Sequence, residues 1–110
     1  MIFFNIVLWT LLSFKSGIAT TFSAENDKWN PNPLYYCNNK KMNDKKDVTV
    51  AHPTLPCFSK VMIYNPRTQR TVVATVMDRG PRRAALDLSP KTARAIRSNG
   101  FEFVWFWPVK

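Results

Sequence analysis

The stretch from Thr71 to Ser89 constrains this chain more than any other. It opens with a β-branched run, Thr71 to Val76, which reads as a buried strand. The run stops at Asp78-Arg79-Gly80-Pro81. Gly80 accepts a backbone angle that other residues resist, and Pro81 removes a ladder donor. An arginine-rich loop follows, then a short apolar return, Ala84 to Leu88, that carries Asp87. A carboxylate placed where a strand breaks sits on a rim, held by a rigid scaffold and flanked by cations. Such a place suits acid–base chemistry.

The flanking segments add short strands. Lys60–Tyr64 and Thr71–Met77 read as a hairpin around the polar turn Asn65-Pro66-Arg67-Thr68-Gln69. Val48–Ala51 is a short strand leading to His52, and Leu34-Tyr35-Tyr36-Cys37 is expected to be the first strand. Ser89-Pro90 predicts a helix start, with Ser at the N-cap and Pro at the first helical position. Leu88, Thr92, Ala95 and Ile96 would face the core, and Asn99-Gly100 would end the helix. Phe101–Val109 reads as the last strand, with Phe101, Phe103, Trp105, Trp107 and Val109 on one face, expected in the core, with stacking on sugar faces as the alternative. The chain is therefore mainly β, with one short helix.

Ile2 to Phe14 is almost wholly apolar, and Gly17-Ile18-Ala19 places small residues where a signal peptidase needs them. The expected division is a signal peptide over 1–19, a polar leader over 20–33 and a folded domain over 34–110. The run is short for a membrane span, so an uncleaved N-terminal tether is the alternative to a secreted or periplasmic chain. Cys37 and Cys57 are the only cysteines. In an exported chain they read as a disulfide; free thiols or a metal pair are the alternatives. With one histidine and no C-x-x-C spacing, a zinc site is not expected, and no cofactor is called for. Sixteen Lys and Arg against seven Asp and Glu give a formal charge of +9. A basic exported domain points to anionic wall polymers before nucleic acid.

Met77-Asp78-Arg79-Gly80-Pro81, then Ala85-Leu86-Asp87-Leu88-Ser89, with Ala51-His52-Pro53-Thr54-Leu55-Pro56 upstream, resemble the signature of the rare-lipoprotein-A type of double-psi β-barrel. The resemblance covers Val48 to Val109. It implies a small six-stranded double-psi β-barrel and a monomeric protein acting on peptidoglycan, as a lytic transglycosylase. The alternative it implies is a non-catalytic polysaccharide-binding module like those of expansins and barwin-like proteins.

Under that resemblance His52 and Asp78 are the expected catalytic pair, with Arg79 and Asp87 in support. Arg79 would pair with one of the two carboxylates and lower its pKa. Asp87 is alternatively the second acid, since its segment is similar to the acid-bearing one of expansin-like barrels. On their own residues, His52 reads equally as a structural hydrogen-bonder and Asp78 as a turn cap. The family's upstream Glu falls on Lys41, with Asp44 and Asp47 nearby. Binding contacts are expected from Lys41, Asp44, Trp29 and Tyr35. Cutting a glycosidic bond needs a proton donor to the leaving oxygen. A lytic transglycosylase uses the sugar's own hydroxyl as nucleophile, so one acid can suffice.

Overall fold

A computed structural model describes residues 14–109. Six strands and one helix follow in order: β1 Lys15–Thr21, β2 Thr49–Ala51, β3 Lys60–Asn65, β4 Arg70–Asp78, β5 Leu86–Leu88, α1 Pro90–Ala95 and β6 Phe101–Val109. The strands close a barrel in the order β1-β5-β2-β4-β3-β6. β1 runs parallel to β5, and β2 runs parallel to β4. The remaining neighbours are antiparallel, including the expected β3–β4 hairpin. This is the mainly β, six-stranded barrel with one short helix that the double-psi motifs imply.

The core is aliphatic and narrow. Val50, Val61, Ile63, Val76, Leu86, Leu88, Ile96 and Val104 are wholly buried. Burying each such side chain stabilises by about 1.5–3 kcal/mol. The buried hydroxyls form a closed set. Ser89 Oγ caps α1, accepts from the Thr49 N–H and donates to the Asp47 carbonyl. Thr92 donates to the Thr49 carbonyl, which ties the helix to β2. Among the described residues no buried side-chain polar atom lacks a partner.

Three expectations are corrected. The first strand is Lys15–Thr21, not Leu34–Cys37, whose only ladder contact is a single bridge from Leu34 to Lys41. The folded unit thus begins well before residue 34. The small residues of Gly17-Ile18-Ala19 are packing positions: Ala19 is fully buried, and a Cβ on Gly17 would lie 2.7 Å from that of Ala85. A cut after Ala19 would part most of β1 from the barrel. The apolar run before Phe14 lies outside the described residues. Residues 22–33 are also no free leader. The Phe22 N–H bonds the Leu88 carbonyl, and Asp44 holds Ser23, Ala24 and Glu25.

The second correction is β6. Glu102, Val104 and Phe106 point inward, and Phe101, Phe103 and Trp105 point to solvent. A one-residue change of register flips every side chain to the other face. The inward register is held at Glu102, which is buried yet ion-paired with Arg67 and accepts the Asn99 N–H. A core lined by Val, Ile and Leu accepts one Phe there rather than a row of Trp and Phe. The third correction is smaller. α1 ends at Ala95, with Ala93 rather than Ala95 buried, and Arg97 takes a left-handed angle before Gly100 does.

Candidate functional site

Four strands bring four outward residues into one row. Ala51 on β2 is opposite Asp87 on β5 and opposite Asp78 on β4. On the far side of Asp87, β1 places Thr20 opposite it. The row therefore reads Thr20, Asp87, Ala51, Asp78, with neighbouring strands about 4.8 Å apart. The adjacent residues Ala19, Leu86, Leu88 and Val50 point into the core, so Thr20, Asp87 and Ala51 face out by alternation; Asp78 has the parity of the buried Ala74 and Val76 and joins the row through the register shift between Val50 and Ala51. Ala51 has almost no side chain to fill the gap between the two carboxylates. Phe22, Ser23, Ala24, Pro33 and Met42 close over the row and leave a cleft of about 180 Å³.

The two acids differ in surroundings. Asp87 Oδ1 accepts the Thr20 hydroxyl at 3.0 Å. Burial pushes the Asp87 carboxyl above its ordinary range; the Thr20 bond acts the other way, and the charge of Asp78 adds to the rise. Asp78 Oδ1 accepts the Tyr36 N–H at 3.2 Å and the Arg79 N–H at 3.0 Å. Those bonds fix its orientation and join the Tyr36–Cys37 turn to the strand end.

Arg79 pairs with neither acid. Its guanidinium donates to the carbonyls of His52 at 3.1 Å and Leu55 at 2.6 Å, and lies 3.5 Å from Cys57 Sγ. Its Cζ sits 5.5 Å from the Tyr36 ring centre. It is a clamp on the 52–57 turn. Leaving the acids without an ion pair is consistent with the raised Asp87. Cys37 and Cys57 form a disulfide, with Cα atoms 5.6 Å apart, beside this clamp.

His52 is close in the backbone but not through its ring. Its N–H donates to the Asp78 carbonyl. Its Nδ1 accepts the N–H groups of Thr54 at 3.0 Å and Leu55 at 2.9 Å, and the ring packs edge-on toward Phe106. Two donors on Nδ1 leave the mobile proton on Nε2. Burial and then the charge of Arg79 hold its pKa below the ordinary histidine value. His52 Nδ1 is taken up by its own turn, while Asp78 and Asp87 share the row on either side of Ala51.

The other expected contacts scatter. Tyr35 is buried, and its hydroxyl donates to Asp47 at 2.7 Å and meets Thr49 at 2.9 Å. Asp44 is buried: desolvation raises its pKa, but the bonds from Glu25, Ala24 and Ser23, with the charge of Arg94, bring it below the ordinary range. Both are structural. Lys41 is exposed and lines a separate depression with Lys40 and Lys46. Trp29 is almost wholly exposed. The sequence reading missed Thr20, placed in a leader, and the Phe22–Ala24 wall. The usable signal was the alternation of small inward residues, Gly17 and Ala19, with Ser16, Ile18 and Thr20.

No family model matches the chain. The endolytic peptidoglycan transglycosylase RlpA of Pasteurella multocida (strain Pm70) is 46% identical over 50 residues, which are 44% of this chain and 17% of that protein. This chain therefore spans less than a fifth of that relative. Among solved structures, the Streptomyces papain inhibitor superposes with a TM-score of 0.65 at 19% identity, over 88% of this chain and 94% of that one. That likeness is one of fold. Over the matched segment this chain is a partial homologue of that transglycosylase, and its closed six-stranded barrel is that of the double-psi fold.

Proposed function

We propose that this chain acts on peptidoglycan and cuts its glycan strands, with Asp87 as the proton donor and Asp78 as its charged partner. The observation that carries the reading is the pair of carboxylates on either side of Ala51, of which Asp87 is raised by burial, opposed by Thr20 and raised again by Asp78. A carboxyl raised by burial and a second carboxylate across Ala51 can divide the work of proton donor and charge stabiliser. The partial kinship with a peptidoglycan transglycosylase supplies the substrate class.

In this reading Asp87 gives its proton to the glycosidic oxygen as the bond to the anomeric carbon breaks. Asp78 stabilises the positive charge that develops there. A hydroxyl of the same sugar then bonds to the anomeric carbon and releases its proton, which restores Asp87 through solvent. No water is consumed, so no second carboxylate has to activate one. Thr20 orients the acid, and the Phe22–Ala24 wall limits access of water.

The test is incubation with purified peptidoglycan and mass analysis of released sugars. Anhydro-sugar ends that vanish in Asp87→Asn and fall steeply in Asp78→Asn support the reading. The rate falls as pH rises through the Asp87 value, because the donor must be protonated. Residual activity in Asp78→Asn loses that limb at lower pH, because one cause of the rise is removed. Polymer retention with no released ends in the wild-type chain overturns the cleavage step and leaves a binding module.

A further inference from the structure

The outward face of β6 carries aromatic side chains that nothing in the fold requires to be exposed. Phe101 is 66% exposed, Phe103 46% and Trp105 40%. Together with Trp107 they follow one another at every second residue of one strand, about 6.8 Å apart. Contiguous exposed rings mark an interaction surface rather than scattered surface apolarity.

This ladder begins at the acid row. Phe101 is the β6 partner of Thr20, whose hydroxyl is bonded to Asp87. The row thus extends across five strands: Phe101, Thr20, Asp87, Ala51, Asp78. From Phe101 the rings lead away from the cleft toward a groove formed by Trp105, Trp107, Tyr64 and Phe14, with Phe14 and Trp107 ring centres 4.8 Å apart. Trp105 lies between Ser16 on β1 and Tyr64 on β3. A ring flanked by a hydroxyl on either side suits a sugar, which has an apolar C–H face and hydroxyls at its edge. The outward positions of β1, β3 and β6 hold no carboxylate, while Lys60 borders the face and Lys15 is exposed beside it. Such a border favours an anionic polymer.

We infer that the β6 ladder is a binding strip for the part of a glycan strand that continues beyond the cleft. The inference rests on the proposed action on glycan, and names a second contact for the same polymer. Binding energy gathered along the strip would hold the scissile bond over Asp87.

The experiment is co-sedimentation with insoluble peptidoglycan, in parallel with anionic phosphatidylglycerol vesicles, for the full chain, Phe103→Thr/Trp105→Thr, Phe101→Thr/Phe103→Thr and Asp87→Asn. Threonine keeps strand propensity, and thermal melting confirms that each variant is folded. Retention falls by about tenfold or more in each ring variant, as for loss of central aromatic anchors, and Asp87→Asn serves as the variant without product release. Retention unchanged in both folded ring variants overturns the strip. A ring-dependent loss seen only with vesicles also overturns it, in favour of a lipid surface. Product release is read separately. Ring-dependent retention without products sinks the acid cleft alone, and products with ring-independent retention sink the strip alone.

Discussion

Gly17→Ala is the sharpest test of where the barrel begins. The new Cβ would stand 2.7 Å from the Ala85 Cβ, whereas carbon atoms pack best at about 3.5–4.0 Å. Neither residue has a long side chain that could swing aside, so β1 and the segment before β5 must part. Overpacking of this kind costs about 1–3 kcal/mol, and the smaller backbone entropy of Ala returns about 0.5–1 kcal/mol. The net loss is about 0–2.5 kcal/mol, about 1 kcal/mol at the midpoints, which is a fall in Tm of roughly 4–8 °C for a domain of this size. Thermal and urea unfolding measure it. Ala85→Gly in the same chain restores much of the loss, and the double-mutant cycle gives a coupling of about 1 kcal/mol or more. A Gly17→Ala chain as stable as wild type, with no coupling to Ala85, would refute the placement of β1 against that segment.

Other expectations follow from the buried polar groups. His52 is held neutral by two N–H donors on Nδ1, and its folded pKa is lowered. Its contribution is therefore complete above the ordinary value of 6.5 and is lost as pH falls through the folded one. Urea midpoints should drop between neutral and mildly acid pH in wild type and less so in His52→Asn. Asp44→Ala removes the acceptor for Ser23, Ala24 and Glu25. It should cost about 1.5–3 kcal/mol and speed hydrogen exchange at the Ala24 and Glu25 amides. The wild-type contribution of Asp44 is present above the ordinary carboxyl value and lost as pH falls through its lowered one. Replacing Cys37 and Cys57 by Ser opens a loop spanning 20 residues in sequence; the loss should be about 3 kcal/mol in the chain-entropy model, read from urea unfolding.

Much of the fold was legible because its signals are local. The β3–β4 hairpin, the Ser89-Pro90 helix start and the strand break at Asp78 each depend on residues adjacent in sequence. The errors came where meaning depends on a distant partner. Gly17 and Ala19 read as cleavage-site residues from their neighbours, while the packing of Gly17 against Ala85 and of Ala19 beside Leu86 depends on a distant segment. Phe101 to Trp107 look like core until Arg67 arrives to neutralise Glu102 on the inner face. His52 and Asp78 have a motif spacing that suggests a pair, but the turn at Thr54 and Leu55 takes up the imidazole nitrogen. Asp87 was visible as a candidate, whereas its partner Thr20 lies 67 positions away and has no motif of its own.

The row of Thr20, Asp87, Ala51 and Asp78 draws each member from a different strand, and its two ends are joined only through the ladder. No fragment of the chain carries the row. While β1 is unpaired, Asp87 is an ordinary wet carboxylate, without its Thr20 bond and without the burial that raises it. The upward shift of the Asp87 carboxyl belongs to the closed barrel, and its titration is a built-in gauge of whether closure has taken place.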